Sequence, residues 1–127
     1  MVRPTFLVAE PEPAEGVSAR KLVLETAKFN VITSYSTKEA LEQLKLFPRI
    51  DAVILHCQLL DKPSVIADAA KKQNKNRKVI ALTPRATKVK QADYHLSSHE
   101  PQELLNLVRK LYGDPREMAP AARLGRP

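Results

Sequence analysis

The ten residues Asp51–Leu60, DAVILHCQLL, constrain the fold more than any other stretch of this chain. The apolar run from Ala52 to Leu55 contains two β-branched residues and leads directly into His56. Such a run predicts a strand buried on both faces, as in the centre of a parallel sheet. In open α/β sheets, ligands bind just beyond the carboxyl ends of such strands. We therefore expect His56 to lie at the edge of the sheet where a binding site would form.

Similar apolar runs alternate with segments of helical periodicity along the rest of the chain. The predicted strands are Thr5–Ala9, Asn30–Tyr35, Asp51–His56, Lys78–Thr83 and Tyr94–Leu96. The predicted helices run from Ala14 to Phe29, from Ser36 or Thr37 to Phe47, from an opening at Asp61–Ser64 to about Lys72, and from Pro101 to Gly113. The alternation predicts an α/β, three-layer, doubly wound, flavodoxin-like fold with a five-stranded parallel sheet of order 2-1-3-4-5. Thr87–Gln91 leaves room for barely one turn, so the fourth helix is expected to be shortened or absent.

Local signals add detail to the second and third helices. Ser36 followed by Glu39 predicts a capping box at the start of the second helix. The apolar spacing there predicts a buried face made of Ala40, Leu41, Leu44 and Phe47. The polar segment Gln73–Arg77 predicts a turn after the third helix.

Length and composition restrict the class of protein. A chain of 127 residues is long enough for one domain with a sizeable core, and we place that domain at residues 1–113. Residues 114–127 hold three prolines and three arginines and are expected to form a disordered tail or linker. The single cysteine excludes an internal disulfide and a multi-cysteine metal site. No apolar run is long enough to span a bilayer, and no signal-peptide pattern is present, so we expect a cytoplasmic location without membrane attachment.

The net charge of +7 is concentrated in one part of the sequence. Eight basic residues and no acidic residue lie between Lys71 and Lys90. This basic stripe suggests three readings: a solvated face, a docking surface for an acidic protein, or a nucleic-acid contact. The absence of tryptophan and the small number of other aromatic residues argue against a stacking platform for single strands. The eight residues of the stripe are Lys71, Lys72, Lys75, Arg77, Lys78, Arg85, Lys88 and Lys90.

With these elements in place, residues 4–112 resemble the receiver domain of bacterial two-component response regulators. Receiver domains carry a metal-binding acidic pair after the first strand, and the matching positions here are Glu10 and Pro11, followed by Glu12. His56 occupies the position of the phospho-acceptor aspartate. The Lys-Pro pair after the fifth strand corresponds to Ser97 and Ser98. Thr83 and Tyr94 match the hydroxyl residue and the aromatic residue that act as switch positions in the family.

The resemblance implies a degenerate receiver, or pseudo-receiver. Phosphoryl transfer to a carboxylate needs a nucleophilic oxygen, a divalent cation with oxygen ligands, and a positive charge near the phosphoryl group. His56, Pro11 and Ser97 fail to supply these three requirements. We therefore predict a non-enzymatic, cofactor-free domain that acts independently of phosphorylation through contact with a protein partner in a signalling pathway. An acidic partner and a homodimer are both left open by the sequence. The degenerate pocket comprises Glu10, Pro11, Glu12, His56, Thr83 and Ser97, and the candidate interaction surface comprises Arg85, Lys88, Lys90, Tyr94 and His95.

Several alternatives follow from the same residues. His56 is a candidate phosphohistidine acceptor or metal ligand, against a simpler interpretation as a hydrogen-bonded histidine at a strand end. Glu10 and Glu12 are candidates for residual Mg²⁺ binding. A zinc site with Cys57 is disfavoured because adjacent strand residues point to opposite faces. Cys57 is a redox sensor only if exposed, and a buried packing role is the simpler expectation. The remaining alternatives are a nucleic-acid accessory module that uses the basic stripe and a pocket for a small molecule.

Overall fold

The predicted sheet and its strand order are confirmed in the computed structural model, which describes residues 3–11, 18–57, 62–83, 89–97 and 100–115. All strand pairs are parallel, in the order β2-β1-β3-β4-β5. The strands are β1 (Thr5–Ala9), β2 (Asn30–Ser34), β3 (Ala52–His56), β4 (Lys78–Leu82) and β5 (Tyr94–Leu96). The helices are α1 (Ala19–Thr26), α2 (Thr37–Leu46), α3 (Pro63–Gln73) and α4 (Pro101–Tyr112).

The central strand β3 is buried along its whole length and divides the core into two clusters. Val53 and Leu55 pack in the cluster that includes residues of α2 and α3. Ala52 and Ile54 pack in the opposite cluster, which includes residues of α1 and α4. This alternation explains why the strand reads as a continuous apolar run, since both faces are covered by helices.

Helix α1 ends earlier than predicted. Its last residue is Thr26 rather than Phe29, and the predicted residues 14–17 at its start lie outside the described residues. Lys28 has a φ of 76°, while the N–H groups of Lys28 and Phe29 donate to the carbonyls of Glu25 and Leu24. These two bonds form a Schellman motif. The usual glycine signal is missing because a lysine occupies the left-handed position.

Helix α2 confirms the predicted cap, but only Ala40 and Leu44 of its predicted buried face are buried, while Leu41 is half-buried. The Ser36 hydroxyl accepts the N–H of Glu39, whose carboxylate accepts the N–H of Tyr35 rather than that of Ser36. Phe47 is 45% exposed, contrary to the prediction, because the helix ends at Leu46 and Phe47 leaves helical geometry. Ile50 is buried in the core cluster of α2 and α3.

Arg77 is the main departure from the expectation of a polar turn after α3. Its side chain is only 2% exposed. The guanidinium donates to the carbonyls of Pro48 and Ile50 at 2.9 and 2.8 Å, and to the carbonyl of Ala70 and the Gln73 side chain at 3.3 and 2.8 Å. Arg77 therefore joins the end of α3 to the segment between α2 and β3.

The part of the β4–β5 connection that the structure describes, residues 89–93, is held by hydrogen bonds to β4. Residues 89–93 contain no helix, while residues 84–88, which include the first part of the predicted turn, lie outside the described residues. Val89 is buried against the face of α2 and α3. The Asp93 carboxylate accepts the Val79 N–H at 2.8 Å, and the Asp93 N–H donates to the Val79 carbonyl at 2.8 Å. These bonds continue the contact between β4 and the chain just before β5.

The last helix ends at Tyr112, and Gly113 caps it as predicted. Asp114 lies 3.5 Å from Arg109, measured between Oδ2 and Nε, and Pro115 is buried. The rest of the predicted tail, from residue 116 onward, lies outside the described residues. Among the helices that the structure describes, none combines the length and apolar character needed to cross a membrane.

Candidate functional site

The parallel sheet brings the predicted pocket residues to one edge. Glu10 and Pro11 follow β1, His56 ends β3, Thr83 follows β4 and Ser97 follows β5. Strands β1 and β3 pair directly, with Ala9 opposite Leu55, so Glu10 continues the register opposite His56. Glu12, the remaining predicted pocket residue, lies outside the described residues.

Glu10 is held by an ion pair that the sequence does not reveal. Its side chain is buried, and its Oε1 atom lies 2.6 Å from the Nε atom of Arg20 in α1. The Glu10 N–H also donates to the Ser34 carbonyl at 3.0 Å, which fixes the backbone next to β2. The sequence does not identify Arg20 as this partner, because its place in the helical pattern indicates only a solvent-facing position on an amphipathic helix.

Glu10 and His56 lie on the same side of the sheet. Val8 and Ile54 pack in the cluster of α1 and α4, and strand alternation returns to that face two residues later. His56 is buried there, at the end of β3. The site therefore combines an imidazole with a carboxylate whose negative charge is already balanced by a guanidinium.

The residues that are described at this edge do not fit a receiver-type magnesium site. Mg²⁺ requires near-octahedral oxygen coordination and is usually held by carboxylates. Here Glu10 is engaged with Arg20, Pro11 has no side-chain ligand and His56 offers nitrogen. Within the described ranges, no group of three or more histidine, cysteine, aspartate or glutamate residues is arranged to hold a metal ion.

Thr83 and Tyr94 lie on opposite faces of the sheet. Leu82 and Tyr94 pack with the cluster of α1 and α4. The Thr83 N–H donates to the Leu96 carbonyl at 2.9 Å, which continues the ladder, so the buried Thr83 side chain turns toward the other face. Direct coupling between the two side chains is therefore not supported by this geometry, and their switch role stays a prediction.

The predicted interaction surface is described only in part. Lys90 and His95 are exposed, whereas Tyr94 is half-buried; Ser97, which was assigned to the predicted pocket, is exposed as well. The His95 Nε2 atom accepts the Val89 N–H at 2.9 Å, which links the exposed side of β5 to the preceding segment. Arg85 and Lys88 lie outside the described residues, as do Ser98 and His99.

The basic stripe does not form one continuous cationic face in the part of the chain that is described. Arg77 is buried, as shown above. The Lys71 Nζ atom lies 2.6 Å from the Asp93 carboxylate, and the Lys72 Nζ atom lies 3.2 Å from the Asp68 carboxylate. Asp68 precedes the basic stripe in the sequence, and Asp93 follows it. A count of charges within the stripe alone therefore overestimates the positive charge of this part of the surface.

Cys57 is half-buried rather than fully buried. Its Sγ atom contacts the Leu55 carbonyl at 3.6 Å, and the side chain packs against the core cluster of α2 and α3. Burial raises the pKa of this thiol to about 11, although a backbone hydrogen bond involving Leu82 acts in the opposite direction. A thiol with this pKa is poorly suited to a redox sensor, because the reactive species is the thiolate.

Comparison with known proteins is informative at the level of structure. No family model matches the chain, and no curated protein matches it by sequence. The chemotaxis protein CheY4 of Vibrio cholerae matches with a TM-score of 0.70 and 20% identity, over 86% of this chain and 98% of that chain. The response regulator TrrA of Thermotoga maritima, solved with Mg²⁺ and beryllofluoride, matches with a TM-score of 0.66 and 27% identity, over 85% and 98%.

A third similar structure is the receiver domain of a sensor histidine kinase from Pseudomonas aeruginosa, solved with a magnesium ion in its active-site cleft. It has a TM-score of 0.69 and 17% identity, and the alignment covers 86% of this chain and 97% of that chain. Another match is a receiver-modulated diguanylate cyclase from Pelobacter carbinolicus, with a TM-score of 0.66, 24% identity, and coverage of 84% and 89%. The sheet order and these matches together show that the chain has the CheY-like fold of response-regulator receiver domains.

Proposed function

We propose that this chain is a receiver-like signalling domain that works without phosphorylation or catalysis. In this proposal it acts through contact with a protein partner in the cytoplasm of a bacterium. The observation that carries the proposal is the ion pair between the buried Glu10 carboxylate and the partly buried Arg20 guanidinium, at the sheet edge where the buried His56 also lies. In this proposal, the Arg20 guanidinium supplies next to Glu10 the positive charge that a metal ion supplies in a receiver that accepts a phosphoryl group.

The chemistry of the neighbouring positions supports the same function. An acyl phosphate cannot form on the imidazole of His56, because that product requires attack by a carboxylate oxygen. Ser97 is exposed but carries no positive charge to balance phosphoryl oxygens. The domain folds without these groups. The proposed protein interaction therefore depends on the surfaces of the domain and not on chemistry at this edge.

The proposal is tested by treating the full chain with phosphoramidate in the presence of Mg²⁺ and measuring its intact mass. Phosphoramidate is chosen because it donates to both histidine and carboxylate acceptors. We expect no mass increase, while TrrA treated in parallel provides the reagent control. If an adduct forms, its stability in acid and in base distinguishes a phosphohistidine from an acyl phosphate.

A phosphorylated product would contradict the proposal. An adduct that disappears in the His56→Gln variant would establish His56 as a phospho-acceptor and would favour the altered-receiver alternative. An adduct that survives this substitution would place the acceptor elsewhere in the chain. The Ser64→Ala variant, changed at an exposed residue of α3, serves as a matched control.

A further inference from the structure

Two large apolar side chains are exposed next to each other where α2 ends. Leu46 is 69% exposed and Phe47 is 45% exposed. Together with Ile32 of the edge strand β2 and Pro48, they line a shallow groove of about 320 Å³. Adjacent exposed residues of this size are candidates for a partner contact when they border a groove rather than standing alone.

A cavity of about 560 Å³ lies beside this groove at the amino-terminal edge of the sheet. The groove and the cavity share Thr5, Pro48 and Arg49 as lining residues, so they form one continuous surface. We call this combined surface the amino-edge surface. It lies at the opposite end of the strands from Glu10 and His56.

The cavity is strongly positive. Its lining includes four basic residues and one acidic residue, Asp51. The Asp51 carboxylate accepts the Thr5 N–H at 2.8 Å, so it has a structural partner on β1. Tyr112 also lines the cavity and donates its hydroxyl proton to the Asp51 carbonyl at 3.2 Å. The basic residues are Arg3, Arg49, Arg77 and Lys78.

The Arg77 guanidinium holds one of these positive charges at a fixed position. The guanidinium is buried, and the acceptors described above are three backbone carbonyls and one side-chain amide, all of them uncharged. Hydrogen bonds to neutral groups leave its positive charge in place, and the nearby Asp51 carboxylate offsets only one of the four positive charges that line the cavity. A low-dielectric wall around such a charge focuses its field toward the open side of a cleft. Arg3 and Arg49 add exposed positive groups at that opening.

We propose that the amino-edge surface binds an acidic peptide segment of a protein partner, with a large apolar side chain in the groove and carboxylates facing the cavity. Charge complementarity selects this occupant. A second copy of this chain, which carries a net charge of +7, is disfavoured by repulsion. The inference rests on the proposed function, because it names the surface and the chemistry of the partner contact.

The test begins with selection of random displayed peptides on the immobilised full chain. Enriched peptides are then synthesised with a fluorophore, and their dissociation constants are measured by anisotropy. We expect acidic peptides with at least one large apolar residue. Arg49→Glu and Phe47→Ser should each weaken binding about tenfold or more, as expected for changes to a charged contact and a central apolar contact.

Matched substitutions separate this surface from general effects of charge and hydrophobicity. Lys38→Glu reverses an exposed charge at the start of α2, and Leu22→Ser removes an exposed apolar side chain from α1. Each control should change the dissociation constant by less than about twofold. All four positions are exposed, and thermal unfolding of each variant verifies that the fold is retained.

Three outcomes would overturn the inference: no enriched peptide, basic or purely polar peptides, or binding that is equally sensitive to the control substitutions. Duplex DNA that binds with sensitivity to Arg49→Glu but not to Phe47→Ser would identify a polyanion site instead. Peptides whose binding depends on Tyr94 or His95 would move the contact to β5 and leave the proposed function intact. Phosphoramidate labelling would overturn the proposed function without moving the peptide site.

Discussion

At the scale of single residues, the Glu10–Arg20 pair is the main electrostatic feature in the described part of the carboxyl edge of the sheet. A carboxylate removed from water is costly unless a positive group compensates it. Here the 2.6 Å contact with Arg20 supplies that compensation from within the chain. The Glu10 carboxylate is therefore compensated without an added ion, and the stability of the pair can be measured directly.

Arg20→Ala should lower the free energy of unfolding by about 2–4 kcal/mol, because it leaves the buried Glu10 carboxylate uncompensated. Glu10→Gln should cost less, since the amide carries no charge. The Glu10→Gln/Arg20→Ala double variant should be more stable than the sum of the two losses predicts. Urea unfolding provides the measurement, and additive effects would contradict the proposed pairing.

Cys57 provides a pH-dependent prediction at the same scale. Because its pKa rises from an ordinary 9.0 to about 11, alkylation of the native thiol at pH 8 should be roughly a hundredfold slower than in the urea-unfolded chain. The raised native pKa favours folding below pH 9, and that contribution is lost as pH rises through about 11. Equal native and unfolded alkylation rates at pH 8 would contradict this assignment.

At the scale of elements, the strands were more predictable than the helix ends. The apolar run of β3 needs two covered faces, and this requirement identifies both its conformation and its central place. The end of α1 depends instead on the positive φ of Lys28, a conformation that the sequence does not predict for a lysine. Phe47 was misassigned because helical spacing alone does not show that α2 stops one residue earlier.

The candidate site was predictable only as a set of strand ends. Parallel topology places Glu10, His56 and Thr83 along one edge, which the order of elements already implies. The contact of Glu10 with Arg20 depends on how α1 packs, and no spacing in the sequence encodes that pairing. Likewise, the burial of Arg77 depends on the carbonyls of Pro48 and Ala70, which are distant in sequence and meet only in the folded chain.

The segment before β5 yields an element-level prediction. Asp93 accepts the Val79 N–H and pairs with Lys71, so Asp93→Ala should raise hydrogen exchange at Val79 and across β5 and destabilise the fold by about 1–3 kcal/mol. Asp93→Asn should retain much of the protection, because an amide oxygen still accepts the Val79 N–H. Exchange followed by mass spectrometry or NMR checks both variants; equal protection loss would show that the hydrogen bond is not responsible.

Arg77 yields a second prediction about how elements are joined. Arg77→Met keeps much of the side-chain length but removes the donors to Pro48, Ile50 and Ala70, and it should destabilise the chain by about 2–4 kcal/mol. Lys75→Met, at a nearby exposed position, should change stability by no more than about 0.5 kcal/mol. Denaturant unfolding compares them, and similar losses would mean that the guanidinium bonds contribute little.

At the scale of the whole molecule, the two ends of the sheet have different characters. In its described part, the carboxyl edge contains the Glu10–Arg20 ion pair and an imidazole, which do not fit the metal chemistry of a receiver. The amino edge contains a positive cavity joined to an apolar groove. This division supports a domain whose scaffold is retained for protein recognition, with the binding surface remote from the position of the phospho-acceptor.

The most direct test of this account is an NMR titration of the isotope-labelled full chain with Mg²⁺ and beryllofluoride. Backbone amide signals are followed at Glu10, His56 and Thr83, with TrrA as the binding control because its complex with Mg²⁺ and beryllofluoride is known. We predict no saturable shift at these positions in this chain. Saturable shifts centred on Glu10 and His56 would show that the carboxyl edge still works as a phosphorylation-type switch and would contradict the account.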